Sequence, residues 1–157
     1  MKWITHQTGA FAAAVWFQVD TVTGVAMVGG AVLPDFAEQV ICRGNRKLFW
    51  RIHRGILHWF GIYALLLAVA GAIPDPGVRM MVAGLALGAI SHLLMDALNP
   101  TGVPLVPFRE RPRLRYPLVS TGSAGEYGIL AVLAAVSLFG VYRLKPDWLS
   151  QLWRLAS

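Results

Sequence analysis

The sequence predicts an all-α fold, an integral membrane helical bundle. Of its 157 residues, 56% are hydrophobic and only 14% are charged, and the mean hydropathy is +0.56. Soluble domains carry about 25% charged residues, and disordered chains are poor in hydrophobic ones. A soluble bundle with an apolar core is the alternative, but three long apolar stretches favour a membrane protein. The single cysteine, Cys42, excludes an internal disulfide.

The three apolar stretches approach the roughly 20 residues that a helix needs to cross a bilayer. They occupy residues 56–73, 78–98 and 127–142 and carry few ionisable side chains. The last is short, so its flanks would complete the crossing. We expect about three spanning helices in a single domain that covers residues 1–157.

The N-terminal apolar stretch, residues 5–32, is interrupted by Gln18 and Asp20. An aspartate at the centre of a spanning helix costs about 2.5–3.5 kcal/mol, whereas at a hairpin tip it can be hydrated or hydrogen-bonded. We therefore expect a re-entrant hairpin of two short helices rather than one crossing. This hairpin would return His6 to the side of the membrane on which Asp35 lies.

Two basic loops rich in arginine, residues 36–55 and 99–125, are predicted between the apolar stretches, while the turn at residues 74–77 carries no positive charge. The positive-inside rule places the two basic segments in the cytoplasm. At the C-terminus, apolar side chains share one helical face, which predicts a helix lying in the membrane interface over residues 147–156.

The clearest candidate site is the segment Ser91-His92-Leu-Leu-Met-Asp96. His92 and Asp96 are four residues apart and share a helical face. Gly84 and Gly88 precede them at the same spacing and would let another helix approach closely. Ionisable residues inside a membrane bundle are usually functional. The alternative is a His–Asp hydrogen bond that only ties two helices together.

His53 and His58 are five residues apart, so they cannot share one face of a helix. Gly55 would let the chain bend between them, with His53 in a loop and His58 in a first helical turn. Neutral imidazoles are the commonest protein ligands of zinc. The alternative is a pair of interfacial histidines at the membrane boundary.

Two acidic residues complete the candidate site, and each has a structural alternative. Asp35 could cap a helix, and Ser123-Ala-Gly-Glu126 has the pattern of a capping box. The predicted topology nevertheless brings seven candidate metal ligands to one level. They are His6, Asp35, His53, His58, His92, Asp96 and Glu126.

Five short motifs follow one another along the chain. They are Thr5-His6-Gln-Thr-Gly9, Leu33-Pro34-Asp35, His53-Arg54-Gly55-x-x-His58, Ser91-His92-Leu-x-x-Asp96 and Thr121-Gly122-Ser123-x-x-Glu126. Over about residues 2–130 they resemble the YdjM-like family of membrane-bound metal-dependent hydrolases. Its members are described as inner-membrane associated and its prototype as LexA-binding. The resemblance implies a hydrolase in the inner membrane; with the topology above, we expect a multi-pass protein whose site faces the cytoplasm.

A fainter similarity is to the zinc-dependent phospholipase C and single-strand nuclease superfamily, which is all-helical. The matching residues, in order, are Trp3, His6, Asp35, the His92-x-x-x-Asp96 pair and Glu126. That superfamily has one or two histidines between the last two elements, and this chain has none. The similarity therefore implies one or two metal ions rather than three.

The leading functional hypothesis is metal-dependent hydrolysis of a phosphoester in an amphiphilic substrate, a lipid or a lipid-linked phosphate. Histidine and carboxylate ligands suit Zn²⁺, with Mn²⁺ or Fe²⁺ as alternatives. Asp35 or Glu126, whichever is not a ligand, could take a proton from the water. Arg54, Arg109 and Arg111 could bind the phosphate, or these arginines could only mark topology and meet anionic headgroups.

A non-enzymatic alternative is a membrane protein with a structural metal site. Its basic segments would then recruit a soluble protein partner such as a repressor. Nucleic acid is a third conceivable partner, but the sequence contains no recognition motif that would favour it. Membrane lipids are the partners expected under either of the first two hypotheses.

Overall fold

The computed structural model describes residues 1–107 and 113–144, with the backbone alone for residues 50–52. The predicted all-α fold is confirmed over these residues. The helices are α1 Trp3–Trp16, α2 Thr21–Gly30, α3 Leu33–Cys42, α4 Arg46–Ile52, α5 Phe60–Ala72, α6 Pro76–Asp96 and α7 Ala124–Leu144. A 3₁₀ turn covers Ile56–His58, and β1 Val103–Pro104 pairs antiparallel with β2 Arg113–Leu114.

Two helices, α6 and α7, are long and apolar enough to cross a membrane, with 21 residues each. Helices α2 and α3 pass the same test together as one span bent by 44°, so the described residues contain two or three candidate spans. Helix α5 has 13 residues, about 20 Å, which is short of the ~30 Å hydrocarbon core. The stretch predicted at residues 56–73 yields a shorter helix because residues 56–58 form the 3₁₀ turn that carries His58 inward.

Helices α1 and α2 form the hairpin predicted for residues 5–32. The chain reverses through Gln18, which has a φ of +51°, and Asp20 caps α2 by accepting a hydrogen bond from the Thr23 N–H at 2.9 Å. The two polar residues therefore lie at the tip, where one is exposed and the other is hydrogen-bonded. The N-terminus of α1 and the start of α3 consequently lie at the same end of the bundle.

Glycines allow α2 and α6 to pack with their backbones almost in contact. A Cβ atom on Gly84 would lie 2.5 Å from the carbonyl oxygen of Thr23, and one on Gly88 would overlap the carbonyl oxygen of Met27. The stripe of small residues predicted on α6 is thus buried against α2. This close approach brings the C-terminal end of α2 to His92.

Two segments predicted as basic loops differ in structure. Residues 36–55 are mostly helical, because α3 and α4 occupy them and only short turns remain. In residues 99–125, the described part before α7 contains only the two-residue strands. The interfacial helix predicted at residues 147–156 lies outside the described residues.

We expect Gly88→Ala to lower the stability of the fold by about 1–3 kcal/mol, because the added methyl group must displace the α2 backbone. The matched control is Gly128→Ala, since Gly128 is exposed on α7 and a Cβ there would meet nothing within 4 Å. That control should be neutral or slightly stabilising. Thermal unfolding in detergent, followed by circular dichroism, measures both. Equal melting temperatures for the two variants would contradict the α2–α6 packing.

Candidate metal centre

Four elements, α1, α3, the 3₁₀ turn and α6, contribute to a cluster of buried ionisable side chains. His6, His58 and His92 have no exposed surface, and Glu38 and Asp96 are 1% and 2% exposed. Burying such groups is costly unless they are paired, hydrogen-bonded or bound to a metal. The partners of each side chain therefore indicate what the cluster can do.

Hydrogen bonds fix the orientation of two of the imidazole rings. The Nδ1 atom of His92 lies 2.7 Å from the carbonyl oxygen of Ala31, and the Nδ1 atom of His58 lies 2.9 Å from a carboxylate oxygen of Glu38. Both partners act as acceptors, so each ring carries a proton on Nδ1. In metalloproteins, partners of this kind orient the histidine ligands and fix their tautomers. Both Nε2 atoms point away from these partners, toward the carboxylates of Asp35 and Asp96.

Four distances describe the space between these atoms. The Oδ1 atom of Asp35 lies 3.3 Å from His58 Nε2 and 3.7 Å from His92 Nε2. The Oδ2 atom of Asp96 lies 3.8 Å and 3.6 Å from the same two nitrogens. Neighbouring ligands of a tetrahedral zinc ion are about 3.3–3.4 Å apart when the bonds are about 2.0–2.1 Å. These separations exceed those of good hydrogen bonds and are close to the ones that a shared ion requires.

His6 extends the cluster on the side of α1. Its ring stacks on that of His92, with centroids 3.8 Å apart, and its Nε2 lies 3.5 Å from Asp96 Oδ1. Burial lowers the pKa of His6 to about 4 and outweighs the opposing effect of Asp96. His6 is therefore neutral at physiological pH, in the form that binds metals. The Nε2 atoms of all three histidines lack a hydrogen-bond partner within the described residues.

Three sets of side chains in the described residues place one ligand atom each within 4.8 Å of one another. The first two sets share His92, and the last two share Asp35, so the arrangement is compatible with one ion or with two neighbouring ions. The sets are His6 with His92 and Asp96, Asp35 with His58 and His92, and Asp35 with Glu38 and His53.

Glu38 is a member of the site that the sequence did not reveal. Its carboxylate accepts hydrogen bonds from His53 Nδ1 at 2.7 Å, His58 Nδ1 at 2.9 Å and the backbone N–H of Arg54 at 2.9 Å. It thereby fixes the whole turn between α4 and α5. Burial opposes protonation of His58, but the nearby carboxylates of Asp35 and Glu38 raise its pKa to about 9. A metal ion would have to displace that proton.

Arg54, predicted to bind substrate, lies inside the cluster. Its Nη2 atom is 3.0 Å from Asp96 Oδ2, and its Nη1 atom contacts the hydroxyl of Thr101. Asp96 also accepts a hydrogen bond from Asn99 Nδ2 at 3.0 Å. The other two arginines predicted to bind substrate, Arg109 and Arg111, lie outside the described residues.

Glu126 occupies a neighbouring position and belongs to none of the three ligand sets. Its carboxylate accepts hydrogen bonds from the backbone N–H groups of Lys2 and Gly122 and from the Thr5 hydroxyl. Its own N–H donates to Ser123 Oγ at 3.3 Å, as in a capping box. These contacts hold the first turn of α1 in place. The roles of Glu126 as metal ligand or catalytic base stay predictions.

Comparison with known proteins places the chain in a family. A family model described as YdjM inner membrane protein matches residues 1–151. The chain belongs to the YdjM inner membrane protein family. The resemblance found in the sequence motifs is thereby confirmed, and the protein is a membrane protein. Its similarity to the phospholipase C superfamily and its hydrolase activity stay predictions.

The similar proteins differ in how much of the chain they match. The chain is 30% identical to uncharacterized protein YvsG of Bacillus subtilis (strain 168), over 89% of this chain and 94% of YvsG. It is 33% identical to inner membrane protein YdjM of Escherichia coli (strain K12), over 64% of this chain and 55% of that protein, and the same figures hold for Shigella flexneri. The chain thus spans about half the length of these two YdjM proteins. No solved structure matches it.

We expect the purified protein to carry a transition metal, zinc first, that is lost when both His92 and Asp96 are replaced by alanine. These residues supply ligand atoms to the first set and, through His92, to the second. Inductively coupled plasma mass spectrometry of protein purified in detergent measures the metal content. Asp75→Asn is the matched control, because Asp75 caps α6 at the opposite end and asparagine also caps helices.

The same measurement can contradict the assignment. A double variant that elutes as a folded species and keeps its full metal content would show that the His92–Asp96 pair is not a metal ligand and only ties helices together. His6→Gln provides a milder test of the first set, since it removes one ligand without leaving a large cavity.

Proposed function

We propose that this YdjM-family protein is a membrane-bound, metal-dependent hydrolase that cleaves a phosphoester in a lipid or lipid-linked substrate. One observation carries the proposal. Three buried imidazole nitrogens, without hydrogen-bond partners within the described residues, converge on the carboxylates of Asp35 and Asp96. A purely structural polar cluster would be expected to satisfy its buried nitrogens with hydrogen bonds.

The donor atoms fit a divalent cation. His6, His58, His92 and Asp96 would hold it, with the carboxylate of Asp35 beside it, and nitrogen and oxygen donors without sulfur suit Zn²⁺, with Mn²⁺ or Fe²⁺ as alternatives. An ion bound there would supply a coordinated water with a pKa near 7 and positive charge beside the phosphoryl oxygens. The three neighbouring groups of possible ligands leave room for a second ion.

Asp35 is the better placed of the two predicted catalytic carboxylates. One of its oxygens faces the imidazoles, and the other accepts a hydrogen bond from the indole of Trp3 at 3.1 Å. In the hydrolysis, the water oxygen forms a bond to phosphorus and the bond from phosphorus to the leaving oxygen breaks. Asp35 takes the proton of the water and returns it to the leaving oxygen.

Arg54 would bind the phosphoryl group. Its two terminal nitrogens hold Asp96 and Thr101, while its Nε atom is buried and has no hydrogen-bond partner within the described residues. This N–H group can donate to a phosphoryl oxygen, and hydrogen bonds from a guanidinium to phosphate are strong. Arg109 and Arg111 of the following segment are further candidates.

The distribution of basic residues supports a cytoplasmic site in a multi-pass protein. Arg43, Arg46, Lys47 and Arg115 are exposed at the end of the bundle that carries the cluster. By the positive-inside rule, that end faces the cytoplasm.

A structural metal site is the second candidate, and the depth of the cluster favours it. The four proposed ligands are at most 2% exposed, whereas a catalytic ion needs an open position for water. In that case the basic segments would recruit a soluble partner. Turnover distinguishes the two candidates.

We expect Asp35→Asn to lower kcat by about 10²-fold or more, because an amide cannot take a proton from water. The assay uses a water-soluble phosphodiester, bis(p-nitrophenyl) phosphate, and a phospholipid in mixed micelles, each with added Zn²⁺ or Mn²⁺. Asp20→Asn at the hairpin tip is the matched control and should keep full activity. Absence of turnover of any phosphoester by the metal-loaded protein would reject the enzymatic proposal and leave the structural one.

A further inference from the structure

Helix α3 has its polar and apolar faces reversed relative to a helix of a soluble protein. Glu38 is buried and Asp35 faces the cluster, whereas Phe36, Val40 and Ile41 are 51%, 55% and 53% exposed. Surface helices of soluble proteins turn their apolar face inward. The outer face of α3 therefore requires an apolar environment outside the protein.

Charge at the end of α3 indicates what that environment is. The helix ends at Cys42 and is followed by Arg43, and the exposed side chains of Arg46 and Lys47 lie in the first turn of α4. An apolar helical face bordered by lysine and arginine is typical of helices that lie in the headgroup region of anionic membranes.

Exposed aromatic residues indicate that the cluster lies at the level of the lipid headgroups. Trp3 and Tyr127 are exposed and lie at the ends of α1 and α7 that carry the site. Tryptophan and tyrosine concentrate at the two membrane–water interfaces. The cluster therefore lies near one interface, at the depth of lipid phosphates.

The side chains of the cluster that are exposed at the protein surface lie on or next to α3. Within the three ligand sets, Asp35 is 18% and His53 is 27% exposed, and the other members are at most 2% exposed. Asp35 is hydrogen-bonded to Trp3, which is 40% exposed, and precedes Phe36 in the chain. A ligand can reach the cluster at Asp35. The exposed apolar side chains of Trp3 and Phe36 border this position.

We infer that the centre is entered laterally from the membrane, between the first turn of α1 and α3. The occupant of this entrance is a phospholipid or lipid phosphate of the same leaflet, whose acyl chains stay against Phe36 and Val40 while its phosphate passes Asp35 toward Arg54. This inference rests on the proposed function for the reaction, but the orientation of α3 can be tested without turnover.

Spin labels test the orientation directly. Single cysteines replace Phe36, Val40 or, as the aqueous control, Lys47, in a protein whose native Cys42 is changed to serine. The full chain is reconstituted into vesicles of phosphatidylethanolamine and phosphatidylglycerol. Collision of each label with oxygen, which concentrates in lipid, is compared with collision with a water-soluble nickel chelate. We expect an oxygen-to-nickel ratio several-fold higher at positions 36 and 40 than at position 47.

Two results would overturn the inference. Oxygen-to-nickel ratios at positions 36 and 40 as low as the ratio at position 47 would place the outer face of α3 in water. Low collision with both reagents, accompanied by spin–spin broadening, would show that a second copy of the protein covers the face. A photoactivatable phospholipid gives an independent readout, because its adducts should map to residues 33–42; their absence there would also overturn the inference. Failure to hydrolyse any phosphoester would reject the proposed function while leaving the measured orientation of α3 intact.

Discussion

The hydrogen bonds on the outer nitrogens of His58 and His92 are the interactions on which the site depends. Glu38 and the Ala31 carbonyl group hold the two Nδ1 atoms, so both Nε2 atoms face Asp35 and Asp96. Without these two hydrogen bonds, the imidazole rings could rotate and form hydrogen bonds with each other. A buried set of lone pairs held in this way is the arrangement that metal sites use to orient their ligands.

The packing of the bundle serves this arrangement. Glycines on α6 let α2 approach until the carbonyl group that follows it reaches His92. The hairpin of α1 and α2 returns the chain, so His6 stacks on the same ring. The left-handed backbone of Arg54, with a φ of +55°, turns the chain so that His58 enters from a third direction. The ligands therefore come from distant parts of the sequence, and the helix contacts that position them also stabilise the fold.

The sequence predicted the parts of the site that have a local signal. The His92–Asp96 pair follows from helical spacing, and the hairpin follows from two polar residues in an apolar stretch. Glu38 was missed because residues 36–55 were interpreted as a basic loop. Its spacing of three residues from Asp35 indicates a shared face only if the segment is recognised as a helix. The contacts of Arg54 with Asp96 and Thr101 join residues more than forty positions apart, which no spacing rule could predict.

The central claim is that the histidine and aspartate side chains hold a metal ion, and X-ray absorption spectroscopy of the purified, zinc-loaded protein tests it most directly. The account predicts a first shell of nitrogen and oxygen only, at about 2.0–2.2 Å, with the outer-shell scattering of at least two imidazoles. A shell of water oxygens without imidazole scattering, or failure of the folded protein to retain zinc after desalting, would contradict it.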